Sequence, residues 1–288
     1  MAVHEPAPRI AVLGAGVMGA NIATLAVGYG FSVELTDVSP DALEAADRTV
    51  RQQLRHARLM GVLPAGRAPG ELRTGTALAH IPDSTVVIEA ITEEARLKKD
   101  LLAEVSAMTR AGTILVSNTS GIPIDELADS VKRPAELVGT HFMNPTYLIK
   151  MVEVIRGPRT DDATMANLAA LLEALGRRPV VVRDAPGFVT SRLLHPMINE
   201  AARIVAAGTA EPADVDALME GCLGHPTGPL RTADLIGLDN LVDSLAALYE
   251  RTGQENCRPC ELLVDKVREG ALGRKSGRGF YHYGTGED

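Results

Sequence analysis

Short apolar runs alternate with stripes of helical period through the first two thirds of the chain, and this alternation sets the expected fold. Ile10-Ala-Val-Leu13 suits a buried parallel strand, Val17 to Tyr29 is an Ala-, Ile- and Leu-rich helix that Gly30 can stop, and Phe31 to Asp37 reads as a second strand. From Asp41 to about Met60 an apolar stripe of Leu43, Ala46, Val50, Leu54 and Leu59 predicts a helix. Gly61 to Gly70 holds two prolines and three glycines, which predicts a loop able to close over part of a ligand. Thr76 to His80 and Thr85 to Glu89 read as strands, and Glu94 to Met108 as helix. Gly112 to Ser117, Glu136 to Phe142, Val152 to Ile155 and Pro179 to Arg183 add further extended runs, with a helix over Asp161 to Leu175.

Beyond Asp184-Ala-Pro-Gly187 the texture changes. Phe188 to Ala207, Pro212 to Cys222, Leu230 to Tyr249 and Cys260 to Glu269 are all helix-compatible, joined by Gly- and Pro-containing connections. The expected architecture is α/β: a Rossmann-like nucleotide-binding domain over residues 1–186, then an all-helical C-terminal domain over 187–288 for substrate binding. Leu193, Leu194, Met197 and Ile198 on the long helix read as a packing stripe.

The first strand runs into Gly14, Gly16 and Gly19, the G-x-G-x-x-G pattern. Gly14 permits a tight turn, Gly16 removes a side chain from the path of a pyrophosphate, and Gly19 brings the helix close to the sheet. The free N–H groups at the helix start, from Val17, Met18 and Gly19, then face the phosphates. Asp37, 23 residues past Gly14, stands where an acid accepts from both ribose hydroxyls. Val38, Ser39 and Pro40 follow it and offer no arginine for a 2′-phosphate, which favours NAD over NADP. FAD is not excluded by this motif alone.

Composition narrows the class. The 288 residues, 45% hydrophobic, suffice for two moderate cores. A formal charge of -8, with no block of Lys and Arg, argues against nucleic acid as a partner. No run of 18 apolar residues suggests a membrane span, and Met1 to Pro6 lacks a basic segment followed by an apolar core, so the expected location is cytoplasmic. Cys222, Cys257 and Cys260 suit a reducing compartment, and Cys257-Arg-Pro-Cys260 has no second pair to complete a metal site.

Oxidation of an alcohol needs a group that takes the hydroxyl proton, a task suited to histidine. His4, His56, His80 and His282 lie in tail-like or surface-like segments, and His225 sits in a turn-rich stretch. His195 shares a helical face with Ser191 without a defined role. His141 is different, because it ends a strand and is followed by Phe142-Met-Asn144-Pro145, a turn at the edge where α/β sheets place ligands. Glu153 comes twelve residues later in a second extended run, a spacing that permits a reversal and return opposite His141. A structural histidine with an ordinary salt bridge is the alternative.

Seven runs, in order along nearly the whole chain, resemble the L-3-hydroxyacyl-CoA dehydrogenase family: Gly14 to Gly19, Glu89-Ala-Ile-Thr-Glu93, Ser117-Asn-Thr-Ser120, His141 to Pro145, Val152-Glu153-Val-Ile155, Asp184 to Phe188 and Gly273 to Tyr281. The resemblance implies NAD-dependent interconversion of an (S)-3-hydroxyacyl thioester and its 3-oxoacyl form. It implies His141 as general base, Glu153 as its partner, and Ser120 and Asn144 on the substrate hydroxyl or carbonyl. It also implies Glu93 and Lys98 at the nicotinamide end, with Asn118 counted among the cofactor residues, and a homodimer. Two departures bear on the substrate. Ser191 stands where the family pattern has asparagine, and the Gly61 to Gly70 region lacks the lysines expected near CoA phosphates, with only Arg58, Arg67 and Arg73 nearby. An acyl-CoA thioester and an acyl group on an acyl carrier protein, as in polyketide extender-unit assembly, are both expected substrate forms.

Overall fold

The structure is a computed structural model and describes residues 8–284. His4 and the rest of the first seven residues lie outside the described residues. The chain forms two compact units, the first ending at Ala185 and the second starting at Pro186.

The first unit is built on one eight-stranded sheet. Its strands are β1 (Ile10–Leu13), β2 (Val33–Thr36), β3 (Leu72–Gly75), β4 (Val86–Glu89), β5 (Ile114–Ser117), β6 (Leu137–His141), β7 (Met151–Arg156) and β8 (Arg178–Arg183). Their spatial order is β3-β2-β1-β4-β5-β6-β7-β8. All neighbours run parallel except β6 and β7, which are antiparallel. Because β1, β4, β5 and β6 are buried along their whole length, they read as continuous apolar runs rather than alternating ones.

Helices of this unit are α1 (Val17–Gly28), α2 (Pro40–Leu59), α3 (Ala95–Met108), α4 (Ile124–Ala128) and α5 (Asp162–Ala174). α1 is buried from Gly19 through Gly28 and packs on β1, β2 and α2. α2 starts at Ser39, whose side chain accepts from Ala42 N, and its Leu43, Ala46 and Val50 are buried. Leu59, assigned to that stripe in the sequence, is 88% exposed, and Ala57 fills the buried position instead.

Two other sequence expectations shift in this unit. Thr76 to His80 forms turns, and the strand lies just before it at Leu72–Gly75, an edge segment whose Arg73 and Thr74 are exposed. The Gly61 to Gly70 loop packs at the end of the sheet where the parallel strands begin. There Gly70 N donates to Val27 O, Leu63 lies beside Gly28, and Arg67 lies over the Phe31 ring. It therefore does not cover the ligand edge, and Arg73 is occupied by Glu71 and Glu34.

The second unit holds α6 (Thr190–Ala206), α7 (Pro212–Leu223), α8 (Pro229–Ile236), α9 (Leu238–Thr252) and α10 (Glu261–Arg268). Its own core gathers Ile198, Ala202, Leu230, Leu238, Leu241, Leu245 and Leu263. The single helix expected over Leu230 to Tyr249 is two, divided at Gly237 with φ +96°. Ile198 is buried while Leu193 is 70% exposed, so the expected stripe on α6 is only partly core. The Gly273 to Tyr281 run closes this unit. Asp234, buried in α8, accepts from Phe280 N, Tyr281 N and the Tyr283 hydroxyl. Burial and the Asp234 carboxylate push the Tyr283 hydroxyl up to about 12. Among the described residues, no helix is long and apolar enough to cross a membrane.

Candidate active site

Parallel strands deliver their C-terminal ends to one edge, so the loops after β1, β2, β4, β5 and β6 meet there. At the tip of β1, Gly14 has φ +99°, and a Cβ on it would approach Ala90 O to 2.6 Å. A Cβ on Gly19 would overlap Gly14 O. These two glycines are therefore required by the fold itself. Gly16 is exposed, and a Cβ there would meet no protein atom within 4 Å, so protein packing does not explain it. The space above it is open, and the N–H groups of Val17, Met18 and Gly19 in the first turn of α1 are of the kind that fit an anion. Asp37, just past β2, accepts from Ala15 N at 2.7 Å and from Ser39 N at 2.9 Å. Its carboxylate is thus fixed beside the glycine turn, and these residues fit a dinucleotide. Val38 beyond it is 92% exposed and brings no cation.

The ends of β4 and β5 hold an ionic cluster. Lys98 on α3 is fully buried, and its ammonium donates to Glu89 Oε1 at 2.6 Å and to Ile91 O at 3.2 Å, with Glu93 Oε2 at 3.2 Å. All three ammonium protons are engaged within the protein. Lys98, which the family resemblance puts at the nicotinamide end, is thus paired there with Glu93. The equally buried Glu89 accepts from Ser117 Oγ at 2.6 Å and from Ile91 N at 2.9 Å. Glu93 in turn accepts from Thr119 Oγ1 at 2.5 Å, Ser120 N at 2.7 Å and Gly121 N at 3.2 Å. Ser120 is thereby tied through Glu93 to Lys98. Sequence reasoning gave Glu89 no role, because the Glu89–Lys98 pairing depends on how α3 packs; the nine-residue spacing was its only trace.

Asn118 joins the neighbouring strand ends. Its N–H donates to Glu89 O at 2.8 Å, and its Oδ1 accepts from Phe142 N at 3.1 Å. This fixes the exit of β6 immediately after His141. The antiparallel register of β6 and β7 sets His141 opposite Glu153, with Nδ1 and Oε2 3.1 Å apart and both residues buried. A carboxylate at Nδ1 holds the imidazole in one orientation. Asn144 is exposed on the following turn, which is anchored by the Thr146 hydroxyl donating to Asn21 O at 2.6 Å. His141, Glu153, Ser120 and Asn144 therefore all belong to the loops and strand ends of one edge of one unit.

The other candidates lie on other elements. His56 and His80 are exposed, and His225 is partly buried just past the Gly224 cap of α7. His195 and Ser191 are buried in α6 of the second unit. Asp184, of the Asp184 to Phe188 run, caps α4 by accepting from Ile124 N and Asp125 N. Burial pushes its carboxyl up despite these bonds. Among the described residues no cluster of ligating side chains could hold a metal ion, and the three cysteines are free.

Residues 9–185 match the family profile described as 3-hydroxyacyl-CoA dehydrogenase, NAD binding domain, and residues 187–283 match the C-terminal domain of the same family. The chain is 41% identical over 278 residues to the "Probable 3-hydroxybutyryl-CoA dehydrogenase" of Bacillus subtilis, covering 96% of this chain and 97% of that one. Among solved structures it is similar to FadB2 of Mycobacterium tuberculosis, with a TM-score of 0.92 and 35% identity over 97% of this chain and all (100%) of that one. It is likewise similar to the (S)-3-hydroxybutyryl-CoA dehydrogenase PaaH1 of Ralstonia eutropha, with a TM-score of 0.86 and 35% identity over 97% and 100% of the two chains. The chain is an NAD-binding oxidoreductase and belongs to the 3-hydroxyacyl-CoA dehydrogenase family.

Proposed function

We propose that this protein interconverts (S)-3-hydroxyacyl-CoA and 3-oxoacyl-CoA, with a four-carbon acyl group as its first substrate and His141 as the acid/base. The His141–Glu153 pair carries this reading, because a buried, carboxylate-oriented imidazole at the ligand edge has the chemistry an alcohol oxidation requires. NAD, when bound, supplies the hydride acceptor. In the oxidising direction the ring nitrogen of His141 remote from Glu153 takes the C3 hydroxyl proton, and Glu153 stabilises the resulting imidazolium. In the reducing direction the same nitrogen returns a proton to the ketone oxygen. Ser120 and Asn144 hold that oxygen or the thioester carbonyl, so that C3 is oriented before reaction. Gly14, Gly16, Val17, Met18, Gly19 and Asp37 hold the dinucleotide, with Glu93 at the nicotinamide end and Lys98 and Asn118 supporting it. The working form is a cytoplasmic homodimer.

A second reading, an acyl group delivered by an acyl carrier protein, is favoured by Ser191 in place of the family asparagine, since serine offers a shorter reach and a single hydroxyl. Loss of NADH absorbance with acetoacetyl-CoA and with acetoacetyl-acyl carrier protein, at matched concentrations, separates the two. Preference for the CoA ester supports the first reading; preference for the carrier-bound ester replaces it with the second. Turnover of neither rejects both.

A further inference from the structure

Arg177, between α5 and β8, is a buried cation with no acid for a partner among the described residues. It is 4% exposed, and its hydrogen bonds go to neutral oxygens only: Nε to Leu175 O at 3.0 Å, Nη1 to Thr146 O at 2.8 Å and Ile149 O at 3.1 Å, and Nη2 to the Tyr29 hydroxyl at 3.0 Å. Burying a guanidinium without a counter-charge is unfavourable compared with an apolar side chain of similar volume. Its stem lies where α1 and α5 end, at Tyr29 and Leu175, and the carbonyl-rich C-terminal end of a helix offsets part of that cost. The rest is compensated by geometry, because a planar fork of donors can hold several backbone oxygens in one arrangement.

Two of those oxygens, Thr146 O and Ile149 O, belong to the turn that follows His141 and carries Asn144. The segment is also held by Phe142 N on Asn118 Oδ1, by Arg178 N on Lys150 O and by the Thr146 hydroxyl on Asn21 O. Of these contacts, the Arg177 fork, through the Tyr29 hydroxyl, and the Thr146 hydroxyl lead to α1. Asn21 lies in its second turn and Tyr29 caps its C-terminal end, about 12 Å apart along the axis at 1.5 Å per residue. The turn bearing Asn144 is thus fastened at two separated points to the helix that begins at the glycine turn.

We infer that Arg177 is a positioning residue for the reaction: it sets the His141–Asn144 segment relative to the dinucleotide helix. This inference rests on the functional reading above for its kinetic consequence and on the hydrogen bonds alone for its structural one. Displacements of about 1 Å at a reacting centre cost up to about a hundredfold in rate, so loosening this brace acts on turnover rather than on dinucleotide affinity. An ordinary core residue would act on stability and leave the turnover of folded enzyme alone.

The test uses Arg177→Met, Arg177→Lys and Tyr29→Phe in the full chain, with kcat and KM for acetoacetyl-CoA, the NADH dissociation constant from fluorescence, and backbone hydrogen exchange. Expected for Arg177→Met is a fall in kcat of about tenfold or more with NADH affinity within about twofold of the parent. Arg177→Lys recovers part of the loss, because an ammonium has three donors for four acceptors. A kcat within about twofold of the parent, or a loss of kcat and NADH binding together, overturns the inference. Should Arg177→Met fail to fold, Tyr29→Phe removes one bond without removing core volume; a fall in its kcat at unchanged NADH affinity supports the brace, and an unchanged kcat overturns it. Hydrogen exchange separates this inference from the choice of substrate. Faster exchange over residues 145–149 in the Arg177 variants is expected even if no thioester is turned over, and unchanged exchange there overturns the brace.

Discussion

His141 and Glu153 face each other across the one antiparallel pairing of the sheet, with Nδ1 and Oε2 3.1 Å apart. The arrangement follows from chain direction. Every other neighbour is parallel, so only the reversal after β6 can return a second side chain to the level of the strand end within twelve residues. The acid/base and the group that orients it therefore come from one hairpin, and their separation is set by register rather than by a flexible loop.

Removing the pair has an ordered effect. Replacing His141 with alanine lowers kcat by about 10²–10⁴-fold, the range general acid–base groups contribute. Glu153→Gln costs about 10- to 100-fold, the value of a hydrogen bond to a charged group. Because Glu153 acts through His141, the double variant is no slower than His141→Ala alone. Steady-state kinetics of the three variants checks this, and additive losses would mean that the two residues act independently.

Lys98 is expected to matter first for stability. Lys98→Met leaves Glu89 buried with its charge uncompensated, a change worth about 3–5 kcal/mol. Adding Glu89→Gln removes that charge and restores part of the loss. Urea denaturation of the single and double variants measures both steps; a double variant less stable than Lys98→Met would show that Glu89 is held by other partners.

The contrast between these two pairs shows what a sequence displays. Gly14 to Gly19 with Asp37 is legible because the turn, helix and strand are contiguous, and each residue answers a local steric or electrostatic need. His141 and Glu153 are legible because a short reversal links them. Glu89 and Lys98 look like a strand end and a polar helix position, and only the packing of α3 reveals a buried ion pair. Asp184 is further still from view, since the helix it caps lies about sixty residues away and is five residues long. Leu59 and Leu193 fit an apolar stripe by spacing, yet both are exposed, Leu59 at the very end of its helix. Periodicity identifies a face; it does not fix how far a neighbour extends along it.

Cofactor choice is expected to depend on Asp37. Asp37→Ala removes the carboxylate beside Ala15 N and raises the KM for NAD by about 10- to 100-fold, the cost of a lost charged hydrogen bond. The same change relieves repulsion of a 2′-phosphate, so the preference for NAD over NADP narrows. NADP does not become a good substrate, because Val38, Ser39 and Pro40 offer it no cation. Initial rates with both cofactors test this, and an unchanged NAD-to-NADP ratio would remove Asp37 from the ribose site.

Acid sensitivity is expected to arise in part at Asp161, the N-cap of α5. Its carboxylate accepts from Thr164 N at 2.7 Å, and the Thr164 bonds, ahead of a smaller attraction from Arg156, hold it below the usual carboxylate range. A carboxylate whose folded value is depressed binds protons less readily in the folded chain than in the unfolded one. Its contribution is therefore complete above the unfolded value of about 3.9 and disappears as pH falls through the folded value. Asp161→Ala costs about 1 kcal/mol at neutral pH, a typical cap contribution. Since the residue is exposed, salt screens the charge-dependent part and reduces it. Asp161→Asn keeps a neutral cap, so the parent is the more stable of the two at neutral pH and the gap closes once the parent carboxyl is protonated. Denaturant titrations of both proteins from neutral pH down through the carboxylate range follow that gap; one that stayed constant or widened on acidification would mean that the Asp161 charge does not stabilise the helix.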